Sequence, residues 1–271
     1  MTSGGAAGGT ETSGGATRLV APAKLTVSLR VTGVRPDGYH ELEAEMVTLD
    51  LADDLEVDER GDGLTVDVRP GVRAEALPRP RENLVERALA LCDRRAGVRL
   101  TKRIPVGGGL GGGSADAAAV LRWAGCSDLQ LAARLGADVP FCVVGGRAQV
   151  EGVGERVTAL PFEARDYLLL LPPFGVETRR VYRAWDEDPR HDAPNALTAA
   201  ALAVEPRLAR WRDALEELTG TRPILAGSGS TWFVAVGRDG PEPPPSGELR
   251  AGNDTARLVR ARTVPAGWNG D

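Results

Sequence analysis

The sequence predicts an α+β protein of two domains, and three observations carry that expectation. A period-two alternation of apolar and polar residues begins near Arg18 and reads as an antiparallel hairpin. A strand, a glycine loop and a helix follow one another between Val98 and Trp123. A buried strand at Tyr167 to Leu171 opens a second region that contains its own glycine turn near residue 230. With 271 residues, 42% of them hydrophobic, the chain can fill one large or two smaller cores.

The elements are taken in order. Residues 1–17 are almost entirely Gly, Ser, Thr and Ala with one charge, a composition that buries too little apolar surface to offset chain entropy, so a disordered tail is expected. Leu25, Val27, Leu29 and Val31 then share one strand face, and Lys24, Thr26, Ser28 and Arg30 the other. Arg35-Pro36-Asp37-Gly38 is a turn, Tyr39 to Leu51 the returning strand, and Leu64 to Val68 a further short strand. Glu82 to Arg94 has helical spacing, and Val98 to Pro105 returns as a strand. After the glycine loop, Ala115 to Trp123 is helical, Asp128 to Leu135 is a short helix, and Arg147 to Leu160 is a hairpin around Gly152-Val153-Gly154. Asn195 to Thr219 is helical with a break at Glu205-Pro206, because proline removes a helix donor. Ile224-Leu225 enters the turn Ala226 to Thr231, Trp232 to Val236 leaves it, and 237–247 is a Pro/Gly-rich loop. The expected boundary near residue 160 gives domains of 18–160 and 161–271.

Composition excludes several function classes. A net charge of -5 argues against nucleic acid as a partner, since phosphodiester affinity needs a surplus of Lys and Arg. The longest apolar run, Tyr167 to Pro173, is too short to span a bilayer, and the start lacks the features of a signal peptide, so no membrane and a cytoplasmic location are expected. Three cysteines, Cys92, Cys126 and Cys142, stand far apart in sequence and read as buried inert thiols. Of 33 basic residues only Lys24 and Lys102 are lysine. Where arginine serves every ordinary purpose, a retained lysine is singled out for its compact, titratable ammonium.

Six glycines among residues 107–113 let a backbone approach a ligand and turn its N–H groups inward, and the following helix adds its positive end. Such a loop calls for an anion. Gly107, Gly109 and Gly112 satisfy the dinucleotide spacing without its βαβ context, and the Gly-Lys-Ser/Thr of a Walker loop is absent. A triphosphate held here needs a cation from elsewhere, and Lys24 supplies it. Transfer to an alcohol also needs a proton acceptor. Asp138, alone in the apolar Ala137-Asp138-Val139-Pro140-Phe141, is the candidate. Gly227, Ser228 and Gly229 in the second turn add donors.

Together these strings resemble the three motifs of the GHMP small-molecule kinases, over residues 18 to about 236. Pro22-Ala23-Lys24-Leu25-Thr26 is similar to the first motif, Pro105 to Ala118 to the ATP loop, and Leu225 to Phe233 to the third motif. Pro36-Asp37-Gly38-Tyr39-His40 and Gly136-Ala137-Asp138-Val139-Pro140-Phe141 are the specific strings; they point to the family's members acting on a cytidine diphosphate-linked methylerythritol in the non-mevalonate isoprenoid route.

The resemblance implies an N-terminal domain like ribosomal protein S5 domain 2, a ferredoxin-like C-terminal domain, and ATP with Mg²⁺ as cofactors. It implies Lys24 and Asp138 as catalytic residues. ATP would be held by Asn83, Pro105, Gly107, Gly108, Gly109, Leu110, Gly111, Gly112, Gly113 and Ser114, with the Ser114 hydroxyl near the metal. The polyol substrate would meet Thr26, Tyr39, His40, Tyr182, Gly227, Ser228 and Gly229. A monomer or weak homodimer is expected. Thr26 stands where the family usually has asparagine, Ser230 where it has proline and Ala226 where it has serine, and the stretch from Ala124 to Asp128 is short. Those departures keep open a GHMP kinase for another small alcohol, or a paralogue that binds nucleotide without catalysis.

Overall fold

The computed structural model describes residues 10–11, 15–70, 72, 73, 77, 79, 82–191, 194–237 and 246–270. The first sheet is built on two long antiparallel strands, β2 (Thr17–Val34) and β3 (His40–Asp58), joined by the expected turn. Gly38 sits at φ +82° and donates its N–H to the Arg35 carbonyl at 2.9 Å. Short β1 (Thr10–Glu11) pairs with Thr17 and Arg18, so the ladder reaches into the stretch expected to be a tail. The rest of that stretch, residues 1–9 and 12–14, lies outside the described residues.

At its far end β3 pairs with β5 (Gly97–Lys102), which carries β4 (Leu64–Val68) in parallel on its other side. Its near half pairs instead with β6 (Arg147–Gly152), which folds back on β7 (Arg156–Leu160). One strand of nineteen residues thus serves two different partners in succession.

Four helices cover the apolar face. α1 (Leu84–Leu91) packs on α2 (Gly112–Trp123), and α3 (Leu129–Ala133) on α4 (Val139–Val144). Ala115, Ala117, Ala118 and Ala119 are buried on α2, which lies against β2 and α4. Small side chains permit that close approach, and Val120 and Leu121 complete the seam. Two results differ from expectation. α2 begins at Gly112, so Gly112, Gly113 and Ser114 are its first turn rather than loop. The segment after Gly136 is helical, because Pro140 occupies the first turn, where its missing N–H costs nothing.

A second, five-stranded antiparallel sheet takes the order β11-β12-β8-β10-β9. Its centre is β8 (Asp166–Leu171), where Tyr167 to Leu171 are all buried between β10 (Trp232–Val236) and β12 (Asp254–Arg262). Each fully buried leucine there contributes about 1.5–3 kcal/mol. Edge strands β9 (Ile224–Leu225) and β11 (Gly247–Ala251) complete it. Three helices connect β8 to β9: α5 (Thr178–Glu187), α6 (Thr198–Val204) and α7 (Leu208–Thr219). The break between α6 and α7 falls at Glu205-Pro206 as read from the sequence; α5 was not anticipated. Of the expected 237–247 loop, residues 238–245 lie outside the described residues.

Main chain from the segments around the second sheet is laced to the first. The Leu29 N–H donates to the Pro194 carbonyl (2.8 Å), Ala196 returns a donor to Leu29 (2.9 Å), and Val264 donates to Thr48 (3.0 Å). Among the cysteines only Cys142 is buried; Cys92 and Cys126 are half-buried and neighbours, and burial together with Cys126 pushes the Cys92 thiol up to about 12. All three are free thiols.

Candidate active site

Lys24 enters the site at an irregularity in the β2–β3 register and is only 5% exposed. Its own N–H donates to the Leu110 carbonyl at 3.0 Å, which ties β2 to the glycine loop. A buried ammonium must be partnered. Lys24 Nζ donates to Thr26 Oγ1 at 3.1 Å and lies 3.2 Å from Asp138 Oδ2. Asp138 is the N-cap residue of α4, yet its side chain makes no capping hydrogen bond. The carboxylate instead turns to Lys24 and keeps 31% of its side chain exposed. An ammonium and a carboxylate more than a hundred positions apart therefore meet, the carboxylate partly open to solvent.

The glycine loop is shaped by what presses on it. A Cβ on Gly109 (φ +79°) would lie 2.4 Å from the Ala226 carbonyl oxygen, and one on Gly111 (φ +68°) would lie 2.7 Å from Lys24 Cγ. Only glycine satisfies both the left-handed backbone and the contact. The first N–H bonded within α2 is that of Ala115, to the Gly111 carbonyl at 2.8 Å. The N–H groups of Gly112, Gly113 and Ser114 thus have no partner within the helix, an arrangement suited to phosphate oxygens. A cavity of about 360 Å³ lies against them, lined by Asn83, Pro105, Gly107 through Ser114, and the apolar Leu84, Leu100 and Ile104. Asn83 Oδ1 accepts the Val85 N–H at 3.0 Å to cap α1, which leaves its amide NH₂ for a ligand. The Ser114 hydroxyl lies 3.9 Å from the point where a Cβ on Gly136 would stand, two residues before Asp138.

The second glycine turn closes over Lys24 from the other sheet. A Cβ on Gly227 would lie 3.7 Å from Lys24 Nζ and 3.8 Å from Thr26 Oγ1. Ser228 Oγ shares a hydrogen bond with Thr178 Oγ1 (2.9 Å), and Gly229 packs on Leu225. Buried Asn195 pins this turn, its Nδ2 donating to the Leu225 (2.8 Å) and Gly227 (2.7 Å) carbonyls. Sequence reading passed over Asn195 as a helix start, since its partners lie thirty residues away.

On the expected substrate side, the structure brings His40 and Tyr182 together and leaves Tyr39 apart. The two rings are 4.6 Å between centroids at 35°, Trp185 meets His40 edge-on at 5.7 Å, and His40 Nε2 is 2.7 Å from Asp186 Oδ1. Tyr39 stands 65% exposed at the turn. Burial pushes the Tyr182 phenol up, and the charge of Asp138 adds to it.

Lys102 has a different setting. It pairs with Asp53 and, at 2.6 Å, with Asp116, and all three side chains are at most 3% exposed. Asp53 Oδ1 accepts the N–H groups of Arg103 and of Ile104 (2.8 Å), just where β5 passes into the glycine loop. Burial pushes the Asp116 carboxyl up to about 7; the Lys102 ammonium opposes this and the Asp53 charge adds to it. The cluster clamps both ends of the loop, β5 and α2, from beneath.

Comparison with known proteins turns this geometry into a family assignment. The model of the GHMP kinases N terminal domain matches residues 83–146, the stretch that holds the glycine loop and Asp138. A 4-diphosphocytidyl-2-C-methyl-D-erythritol kinase of Pelotomaculum thermopropionicum is 38% identical over 252 residues, covering 79% of this chain and 87% of that protein. The chain belongs to this family of GHMP kinases. Its counterpart in Bacillus subtilis is 34% identical over 255 residues, 80% of this chain and 86% of that protein. A crystal structure of 4-(cytidine 5'-diphospho)-2C-methyl-D-erythritol kinase superposes with a TM-score of 0.63 at 34% identity, over 82% of this chain and 90% of that one. Methanococcus jannaschii mevalonate kinase, at 12% identity and a TM-score of 0.57 over 93% of this chain and 100% of that one, shares the fold.

Proposed function

We infer that the protein transfers the terminal phosphoryl group of ATP to the 2-hydroxyl of 4-diphosphocytidyl-2-C-methyl-D-erythritol. The observation that carries this reading is the Lys24–Asp138 pair, 3.2 Å apart beside the open N-terminus of α2, in a chain of that kinase family. Asp138 accepts the hydroxyl proton as the substrate oxygen bonds to the γ-phosphorus and ADP leaves with the cleaved bond's electrons. Lys24, held by Thr26 and Asp138, neutralises charge on the alkoxide and the transferring group.

The glycine loop and the first-turn N–H groups of α2 take the phosphates, and Asn83 faces the base. His40 and Tyr182 offer a stacking surface for cytosine, with Tyr39 at its margin, and Gly227, Ser228 and Gly229 close the polyol side. Among the described residues no cluster of three His, Cys, Asp or Glu could hold a metal. The Ser114 hydroxyl would help to hold Mg²⁺, which binds such sites largely through substrate phosphates. When bound it neutralises triphosphate charge. The separate sheets support domains of 18–160 and 161–271.

A coupled assay of ADP release tests the reading. Turnover with the cytidylylated polyol is expected; ATP binding without that turnover would overturn it.

A further inference from the structure

A second cavity, of about 470 Å³, lies beside the start of the glycine loop, and neither Lys24 nor Asp138 lines it. Its size is that of a small-molecule site. The walls are apolar, formed by Val72, Val106, Leu171 and Phe174, and Pro105, Val106 and Gly108 line both this cavity and the one against the first turn of α2.

Two guanidiniums face it. Arg73 donates to the Val106 carbonyl (3.4 Å) and Arg257, on β12, to the Pro70 carbonyl (3.1 Å). Neither is ion-paired among the described residues; each is held by a backbone carbonyl, as Arg122 is. Glu248 is the cross-strand neighbour of Arg257, yet it stands exposed at the rim and makes no ion pair with it. Arg257 Nε and the hydroxyl of fully buried Thr231 have no hydrogen-bond partner. Buried donors left idle beside an apolar cavity are costly unless a ligand uses them.

We propose that this cavity binds a small phosphate ester with a short apolar chain, Arg73 and Arg257 holding the phosphate and the Val72–Phe174 wall the chain. Two guanidiniums match a phosphate dianion in charge and in fork geometry. The Thr231 N–H donates to the Gly108 carbonyl at 3.2 Å, so the wall of this cavity is also backbone of the nucleotide loop. Occupancy consequently shifts nucleotide affinity, and the nucleotide shifts the ester's by the same factor.

Calorimetric titration of the intact protein with butyl phosphate tests this directly and without turnover, so its outcome is separable from that of the assigned reaction. Binding is expected, with inorganic phosphate and pentanoate weaker and butanol silent. Arg257→Gln should weaken butyl phosphate by about tenfold or more while leaving the Kd for ADP in its absence unchanged. Arg73→Gln, altered from the opposite wall, should do the same to butyl phosphate, and thermal melts check that both variants fold. In the parent protein saturating butyl phosphate should move the ADP Kd, and in Arg257→Gln it should not. Equal binding to Arg257→Gln and the parent, butanol binding as well as the ester, or displacement of ADP that persists in Arg257→Gln would each overturn the proposal.

Discussion

The two lysines of this chain are both buried beside carboxylates, and they do opposite things. Lys24 faces one aspartate whose side chain remains 31% exposed, so its charge is offered outward. Lys102 is held between two aspartates, every member at most 3% exposed, and with Asp116 it borders the cavity against the first turn of α2. Burial of the ammonium is common to both; what separates the lysine proposed for catalysis from the other is that its partner carboxylate stays open to solvent. A sequence stripped of other lysines marks the two positions alike, and only the surroundings tell them apart.

The contrast is broken most severely on the open side. Asp138→Asn should lower kcat by about 10²–10⁴-fold, and Lys24→Ala by a comparable factor, with ADP affinity after Asp138→Asn nearly unchanged. If Asp138→Asn retains near-normal kcat, the assigned base is wrong. On the closed side, Lys102→Met leaves two carboxylates buried without their cation, and urea titration should show a loss of about 3–5 kcal/mol. A melt indistinguishable from the parent's would show that the clamp is dispensable.

Gly111→Ala joins the two regions. Its new methyl would meet Lys24 at 2.7 Å in a left-handed backbone, so stability should fall by about 1–3 kcal/mol and kcat should drop as Lys24 is displaced. Nucleotide titration beside turnover separates the two effects. The Asp116 carboxyl gives a pH signature. It stands at about 7 in the folded protein against an ordinary 3.8, so across that interval the folded state holds a proton that the unfolded state has lost. Stability from this group is greatest below the lower value and declines as pH rises towards the upper one. Asp116→Asn should flatten the decline in melts taken at successive pH values; an unchanged slope would assign it elsewhere. Smallest is Asn83→Ala, which removes the α1 cap for about 1 kcal/mol by chemical denaturation.

Much of this was legible in the residues. The Arg35–Gly38 turn, the helix break at Glu205-Pro206 and the strand–loop–helix run are local signals that the structure returns; the strand after Arg18 is there too, but register shifts at Pro22/Lys24 and Thr26/Ser28 break its alternation and bury Ala23 to Thr26 in succession. Lys24 and Asp138 could be named because one is a rare residue type and the other a carboxylate in apolar company. Asp53 carried no such mark: it acts on Lys102 from forty-nine residues away, and nothing near it in sequence foretells that. His40 likewise finds Asp186 across 146 residues. Helix α5 was passed over although Val181 and Trp185, its buried residues, stand four apart and mark one apolar face among its charges.

The Ala226 carbonyl against Gly109 and the Thr231 N–H on the Gly108 carbonyl have a consequence for biosynthesis. The phosphate loop is translated long before the residues that brace it, so a nascent chain that stops short of residue 231 carries the loop without its brace. The braced form of the glycine loop therefore arrives late on the ribosome, with the second sheet and not with the first.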